Sequence, residues 1–391
     1  MDRYKYIKKL NKKRVVFLTG TRADFGKLKS LINILNNDKG FETHVFATGM
    51  HMLSRYGYTI NELEKEKTPN LYKYINHSGN SSMESIMAST LIGFGNYIHE
   101  FKPDLVVVHG DRVEALAGAL AAGFKNIPVA HIEGGEVSGT IDEHLRHAIS
   151  KISHIHFVAN QEAKKRLIQM GERPEDVFVI GSPDIDVILS GKLPGLDSAK
   201  KRYDIKFDKY AVLIYHPVTT EINSIQDQVF ALTQAVMDSN MNYIVIHPNN
   251  DPGTDVIKNA YDSKLSGNPK FKFFPSIRFE YFLTFLKNAH FIIGNSSSAI
   301  REAPYYGVPA INIGTRQNNR AKTAQKCLFN CNPDQEKILT AIKRFSDEKI
   351  RFKPIKIFGH GNSDKNFLRM LKSPKIWNKE IQKQFQDLRL V

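Results

Sequence analysis

The sequence predicts an α/β protein made of two doubly wound domains, each a parallel sheet covered by helices on both faces. Three observations carry this expectation. Short β-branched runs alternate with stretches of helical periodicity along most of the chain. The runs are almost continuously apolar, as strands buried on both faces are. The length of 391 residues suits two domains, at roughly 150 residues each.

Taken in order, strands are expected at 14–18 (RVVFL), 43–48 (THVFAT), 104–110 (DLVVVHG), 127–132 (IPVAHI), 154–159 (HIHFVA) and 176–181 (DVFVIG). Helical spacing joins them at 25–35, 82–100, 114–124, from near Asp142, and at 162–171. The composition then changes. Residues 182–208 contain Pro183, Gly191, Pro194 and Gly195 and read as an inter-domain linker. A second series has strands at 210–216, 242–247, 271–274, 290–294 and 308–314. The expected domains are 1–188 and 189–365, with a C-terminal helix over 366–391 returning to the first. In such sheets ligands bind beyond the carboxyl ends of the strands, so the substrate is expected in the cleft between the domains.

Composition excludes several classes. With 41% hydrophobic and 24% charged residues the chain can bury a core. Two cysteines, Cys327 and Cys331, exclude a disulfide scaffold and fit a reducing compartment. No apolar run approaches the roughly 18 residues of a membrane helix, and Val15–Leu18 is too short for a signal peptide, so no membrane association is expected and the cytoplasm is the default. The net charge of +15 comes from 55 Lys+Arg against 40 Asp+Glu and is spread along the chain. No nucleic-acid motif accompanies it, so a basic surface with a local anion site is favoured over a nucleic-acid partner. No metal-ligand cluster is visible, and no metal is expected.

The unusual polar residues fall just after the expected strands. Thr19-Gly20-Thr21-Arg22-Ala23-Asp24-Phe25-Gly26-Lys27 is a small-residue turn leading into a helix. It is not a dinucleotide fingerprint, which disfavours a nicotinamide. Its cations and helix N-terminus suit a phosphate, although a solvated first turn has the same composition. Gly110-Asp111-Arg112 follows the next strand, and helix capping alone would account for Asp111. Glu133 precedes Gly134-Gly135, which let a backbone approach a ligand. Glu143, Arg146 and His147 share one helix face, where acidic helix-start chemistry is the plain alternative. Asp111, Glu133 and Glu143 leave successive strand ends, and grouped carboxylates raise one another's pKa, so one site could offer both a base and an acid. In the second half His216 and Asn249 end strands. Asn295-Ser296-Ser297-Ser298 opens a helix that is expected to carry Glu302, and Arg316 follows the last strand. A Gly/Ser turn at a helix start binds phosphate, or is simply a cap.

These motifs resemble the UDP-N-acetylglucosamine 2-epimerases, in particular the hydrolysing branch that makes N-acetylmannosamine for bacterial sialic acid and capsule synthesis. The resemblance runs from TGTRADFGKLKSL through TGMHM, VHGDRVEALAG, HIEGGEVSGTIDEHLRHAISK, VIGSPDIDV, HPVTTE, PSIRFEYF and GNSSSAIREAPYYGVP to GTRQNNR. It implies two Rossmann-like domains facing a central cleft, as in GT-B glycosyltransferases, with no cofactor. It places Arg22, Arg112, His216, Asn249, Ser296, Ser297, Glu302 and Arg316 on UDP, and Lys27 on a basic position of the first loop. It makes Asp111, Glu133 and Glu143 the catalytic carboxylates, with His216 assisting at the leaving group. Gly26 departs from relatives that place a nucleotide-touching Ser there. Relatives form dimers or tetramers, so a homo-oligomer is expected.

The implied chemistry couples loss of the C2 proton to departure of UDP, giving a glycal to which water adds. Rival expectations are a non-hydrolysing epimerase, a glycosyltransferase that leaves C2 untouched, the same chemistry on a UDP-linked bacillosamine derivative, and a nucleic-acid binder with salt-dependent affinity.

Overall fold

The computed structural model describes residues 12–78, 81–138, 141–249, 251–318 and 327–387. The chain divides into two compact units. One takes in the chain up to Glu136, Leu145–Asp186 and the segment from Gly361 onward; the other takes in Val137–His144 and Val187–His360.

The first unit contains β1 (Lys13–Thr19), α1 (Arg22–Asn36), β2 (Phe41–Ala47), α2 (Ile60–Lys65), β3 (Leu71–Lys73), α3 (Met83–Phe101), β4 (Leu105–His109), α4 (Val113–Gly123) and β5 (Val129–Ile132). It continues with α5 (Ile141–Ile152), which begins in the other unit's short segment, then β6 (Ile155–Val158), α6 (Gln161–Gln169), β7 (Val177–Val179) and the start of α7 (Pro183–Leu189). Its seven strands are parallel in the order β3-β2-β1-β4-β5-β6-β7. The continuous apolar run of β1 has a simple cause. Val15 and Phe17 enter the core under α1, while Val16 and Leu18 enter the core under α3 and α4. The small residues of α4 bring that helix down onto the sheet, since a side chain at Gly118 would meet Leu18 Cδ1 at 2.8 Å. The order reverses between β1 and β4, which makes their carboxyl ends the switch point where loops diverge and leave room for a ligand.

The second unit contains α8 (Leu196–Tyr203), β8 (Ala211–Ile214), α9 (Ile225–Asp238), β9 (Tyr243–Ile246), α10 (Thr254–Lys264), β10 (Phe271–Phe274), α11 (Phe279–Asn288) and β11 (Ile292–Gly294). It ends with α12 (Ser298–Arg301), β12 (Ala310–Ile313), β13 (Leu328–Cys331) and α13 (Gln335–Ser346). Six parallel strands run in the order β10-β9-β8-β11-β12-β13, and the switch point lies between β8 and β11.

The structure departs from the sequence reading in three places. The edge strands β3 and β13 were not expected; both are short and only partly buried, so neither carries the apolar run of a central strand. The stretch expected to be a linker holds α7 and α8, with Pro183 opening α7, where a missing N–H costs nothing. The expected helix over 366–391 is instead α14 (Ser363–Leu371) followed by α15 (Pro374–Trp377). Pro374 forces the break: Ser373 before it is extended, with ψ 128°. Residues 388–391 lie outside the described residues.

Helix α14 belongs to the first unit's core. Asp186 accepts from the backbone N–H groups of Ser363 at 2.8 Å and Asp364 at 2.9 Å, and so caps the helix. Phe367, fully buried, packs its ring against Phe17 and, edge-on at 4.9 Å, against Phe157. Truncating Phe367 to Ala removes that ring from a close-packed core and is expected to cost about 3–5 kcal/mol in urea denaturation. A loss below about 1 kcal/mol would mean that α14 is not an integral layer.

Candidate active site

In the first unit the loop after β1 is fixed by a helix cap. Thr21 Oγ1 accepts from Asp24 N at 3.1 Å, and Asp24 Oδ2 accepts from Gly20 N at 3.1 Å. Asp24 and Lys27, three residues apart on α1, then face the same neighbours. Lys27 Nζ donates to Glu133 Oε2 at 3.1 Å. His109, the last residue of β4, sets Nδ1 3.0 Å from Asp24 Oδ1 and Nε2 3.3 Å from Glu133 Oε2. Glu133 is 5% exposed and His109 7%. Burial pulls the imidazole toward its neutral form, but the Asp24 and Glu133 carboxylates outweigh it and push its pKa up to about 9. Glu133 holds φ +73°, in the left-handed region that costs a non-glycine residue about 1 kcal/mol or more. Gly135 next to it also has positive φ, and a Cβ there would sit 2.2 Å from Ala163 O. The Gly-Gly pair is therefore a tight turn that brings Glu133 back over the sheet edge.

Asp111 pairs with the fully buried Arg146 of α5. Helix capping does not explain it, because α4 begins at Val113 and Arg112 occupies the cap position. The loop that carries Asp111 is held from below by His131. Its Nε2 lies 2.8 Å from Gly110 O, which only an N–H can satisfy, so Nδ1 accepts from Ser150 Oγ at 3.0 Å. Burial, against the hydrogen bond to Gly110, lowers the pKa of His131 to about 3 and keeps it in this neutral tautomer. Arg22 is salt-bridged to Glu62 at 2.7 Å.

In the second unit, Gly294 ends β11 with φ +126°, and a Cβ there would lie 1.9 Å from Ile214 O. That contact lets Asn295 reach the exit of β8. Asn295 Oδ1 accepts from His216 N at 2.7 Å, and its Nδ2 donates to His216 O at 2.8 Å. Asn249 N donates to His216 Nδ1 at 3.1 Å, which leaves the ring proton on Nε2. Asn295 O accepts from Arg316 Nη1 at 3.2 Å, and Arg316 Nη2 reaches Asp142 at 3.3 Å. Ser296 Oγ accepts from Ser298 N at 3.3 Å. Ser297 is the cap residue of α12, with no side-chain cap bond. Glu143 Oε2 accepts from Ser138 N at 2.5 Å, in the loop before α5.

The structure thus joins Lys27 to Glu133 in the first unit, and His216 to Asn249 and, through Asn295, to Arg316 in the second. One expectation is corrected. Glu302 does not lie well inside a helix: α12 is four residues long, and Glu302 is its C-terminal cap, 2% exposed. Arg146 stands beside Asp111, and Lys27 and His109 beside Glu133; the acids that share a group are Asp24 and Glu133, across His109. Sequence reasoning missed His109, Asp24, His131 and Asn295 as site residues. The signal for His109 was present: a histidine ends the otherwise apolar LVVVH run. Asn319 and Arg320 of the GTRQNNR motif lie outside the described residues.

Comparison with known proteins fits this architecture. A crystal structure of UDP-GlcNAc 2-epimerase from Methanocaldococcus jannaschii in complex with UDP-GlcNAc and UDP matches with TM-score 0.77 at 24% identity, covering 92% of this chain and 99% of that one. The likeness shows the fold, a GT-B-like pair of parallel-sheet α/β domains. The family model described as UDP-N-acetylglucosamine 2-epimerase matches residues 33–372, and the chain belongs to that enzyme family. The UDP-N-acetylglucosamine 2-epimerase of Neisseria meningitidis serogroup B is 42% identical over 381 residues, 97% of this chain and 100% of that protein. The hydrolysing UDP-N,N'-diacetylbacillosamine 2-epimerase of Legionella pneumophila is 34% identical over 365 residues, 92% of this chain and 96% of that protein.

The Asp111–Arg146 pair makes a structural demand of its own. Asp111→Ala removes a carboxylate partner from a fully buried guanidinium, which keeps its bond to Glu136 O, and is expected to lower unfolding free energy by about 3 kcal/mol. Denaturant melts of parent and variant check this, and equal midpoints would remove the pair from the stability of the first unit.

Proposed function

We propose that the protein is a hydrolysing UDP-N-acetylglucosamine 2-epimerase that releases N-acetylmannosamine and UDP through a 2-acetamidoglucal, for sialic acid synthesis. The observation that carries the reading is Glu133, a buried carboxylate held between two cations at the carboxyl edge of the first sheet. Full-length similarity at 42% to a UDP-N-acetylglucosamine 2-epimerase, against 34% to a bacillosamine enzyme, favours N-acetylglucosamine as the sugar. A cytoplasmic setting and self-association as a dimer or tetramer belong to the same proposal. Among the described residues no helix is long and apolar enough to cross a membrane.

The C2 hydrogen of the substrate has no adjacent carbonyl and is not acidic by itself. Its removal must be concerted with cleavage of the C1–O bond, so the site needs a carboxylate near C2 and donors around the departing diphosphate. Asp111, Glu133 and Glu143 supply the proton-transfer groups. His216 presents a proton at Nε2 while Asn249 N holds its ring and Asn295 its backbone, the form of imidazole that donates to a leaving oxygen. Arg22, Arg112 and Arg316 balance the diphosphate charge. Arg22 exchanges Glu62 for phosphate when the nucleotide binds. Ser296, Ser297, Asn249 and Glu302 hold the rest of the nucleotide. Water adds at C1 of the glycal, and a proton returns to the opposite face of C2.

Chromatography of products from a panel of UDP-sugars tests the reading. Free N-acetylmannosamine and UDP from UDP-N-acetylglucosamine support it. Turnover confined to the bacillosamine derivative moves the sugar assignment, and a product that stays linked to UDP moves the protein to the non-hydrolysing branch. Glu133→Gln is expected to abolish turnover while UDP still binds; parent-like turnover would remove Glu133 from the chemistry. Ser296→Ala combined with Ser297→Ala is expected to weaken UDP binding more than it slows the chemical step, and unchanged affinity in a calorimetric titration would refute that placement.

A further inference from the structure

His109 has a role that the carboxylates alone do not supply. Its two ring nitrogens lie 3.0 Å from Asp24 Oδ1 and 3.3 Å from Glu133 Oε2. A neutral imidazole has one N–H, so one nitrogen would turn a lone pair toward an anionic oxygen. His109 Nε2 and Asp24 Oδ1 are outside hydrogen-bond geometry, so these are charge contacts, and only the imidazolium carries positive charge against both carboxylates. The ring is buried, and Asp24 is itself fixed by Gly20 N and the Thr21 cap, so the cation has one place to sit. Lys27 Nζ adds a second cation on the same Glu133 oxygen.

We propose that His109, anchored by Asp24, is a positioning residue that holds Glu133 as an oriented carboxylate and so commits it to accepting the C2 proton rather than donating one. The inference rests on the functional reading above. In the step it implies, the C2–H bond breaks and its proton goes to Glu133. The C–H electron pair forms the C1=C2 bond, the C1–O bond breaks, and that pair leaves on the diphosphate oxygen of UDP. His109 touches neither sugar nor nucleotide in this scheme. The other titratable groups placed against it are Asp24 from α1, Lys27 through the shared Glu133 oxygen, and Glu133 and His131 from the β5 side, with His51 after β2 facing Asp24. Burial keeps His51 and His131 neutral, so the charges that decide the state of His109 are those of Asp24 and Glu133.

The test uses the full chain with His109→Gln and Asp24→Asn. For His109→Gln, kcat for UDP release is expected to fall about a hundredfold, with UDP affinity unchanged. The acid limb of the pH profile should move to higher pH, because Glu133 protonates more readily without the neighbouring cation. Asp24→Asn keeps an acceptor oxygen for the ring but loses the charge, so the same changes should appear in smaller measure. It decides the question if His109→Gln does not fold. Parental kcat and an unmoved acid limb in both variants would overturn the proposal. So would activity extended to alkaline pH, which would make Glu133 the acid. Nitrogen-15 NMR of the histidine rings near neutral pH gives a readout independent of turnover. Both His109 nitrogens should be protonated in the parent, and a neutral ring overturns the proposal even if every UDP-sugar proves inert. Inert parent protein with a protonated His109 would instead sink the functional reading and leave the ion chain standing.

Discussion

A carboxylate 5% exposed to solvent must be matched by positive charge, and in this protein that requirement organises the edge of the first sheet. Glu133 meets it with Lys27 from α1 and His109 from β4, and His109 in turn needs Asp24. Three segments far apart in sequence are thereby locked to one another. The glycines follow from the same demand. Gly135 allows the turn that sets Glu133 back over the sheet, and its own close approach to Ala163 leaves no room for a side chain. Asp111 repeats the logic with Arg146, and His131 secures the loop between the two by filling the carbonyl of Gly110.

The second sheet solves a different problem with neutral groups. Asn295, buried and reachable only because Gly294 has no side chain, clamps both backbone groups of His216 and gives its own carbonyl to Arg316. One residue therefore fixes a histidine with its side-chain amide and an arginine with its backbone carbonyl, the two kinds of donor that a diphosphate needs. The bond that His216 Nδ1 accepts from Asn249 N leaves Nε2 as the donor. In the first sheet the imidazole of His109 sits between acids and is cationic.

Much of this was legible in the sequence, and the parts that were not share a cause. Central strands such as LVVVH and the helices between them declare themselves through apolar pattern, and the polar residues after them mark the sheet edges. Arg22, Asp111, Glu133, His216 and Arg316 could be singled out because they are polar residues just after apolar strands. What pattern cannot give is pairing across the chain. The spacing of Glu143 and Arg146 was visible, but the partner of Arg146 proved to be Asp111, thirty-five residues earlier. Asp24 resembled a helix-start residue, and it is one; its second oxygen does the further work of anchoring His109. The edge strands β3 and β13 were missed because a short, half-exposed strand lacks the apolar run that betrays its neighbours. The C-terminal helix was read through Pro374 although proline is the residue that ends it.

The central claim is that C2 deprotonation and loss of UDP are one elimination, followed by hydration. Proton NMR of UDP-N-acetylglucosamine with the purified protein in D₂O tests it most directly. The account requires free N-acetylmannosamine carrying deuterium at C2, formed together with UDP. Free sugar that retains its original C2 proton, or a UDP-linked product with no exchange at C2, would contradict it.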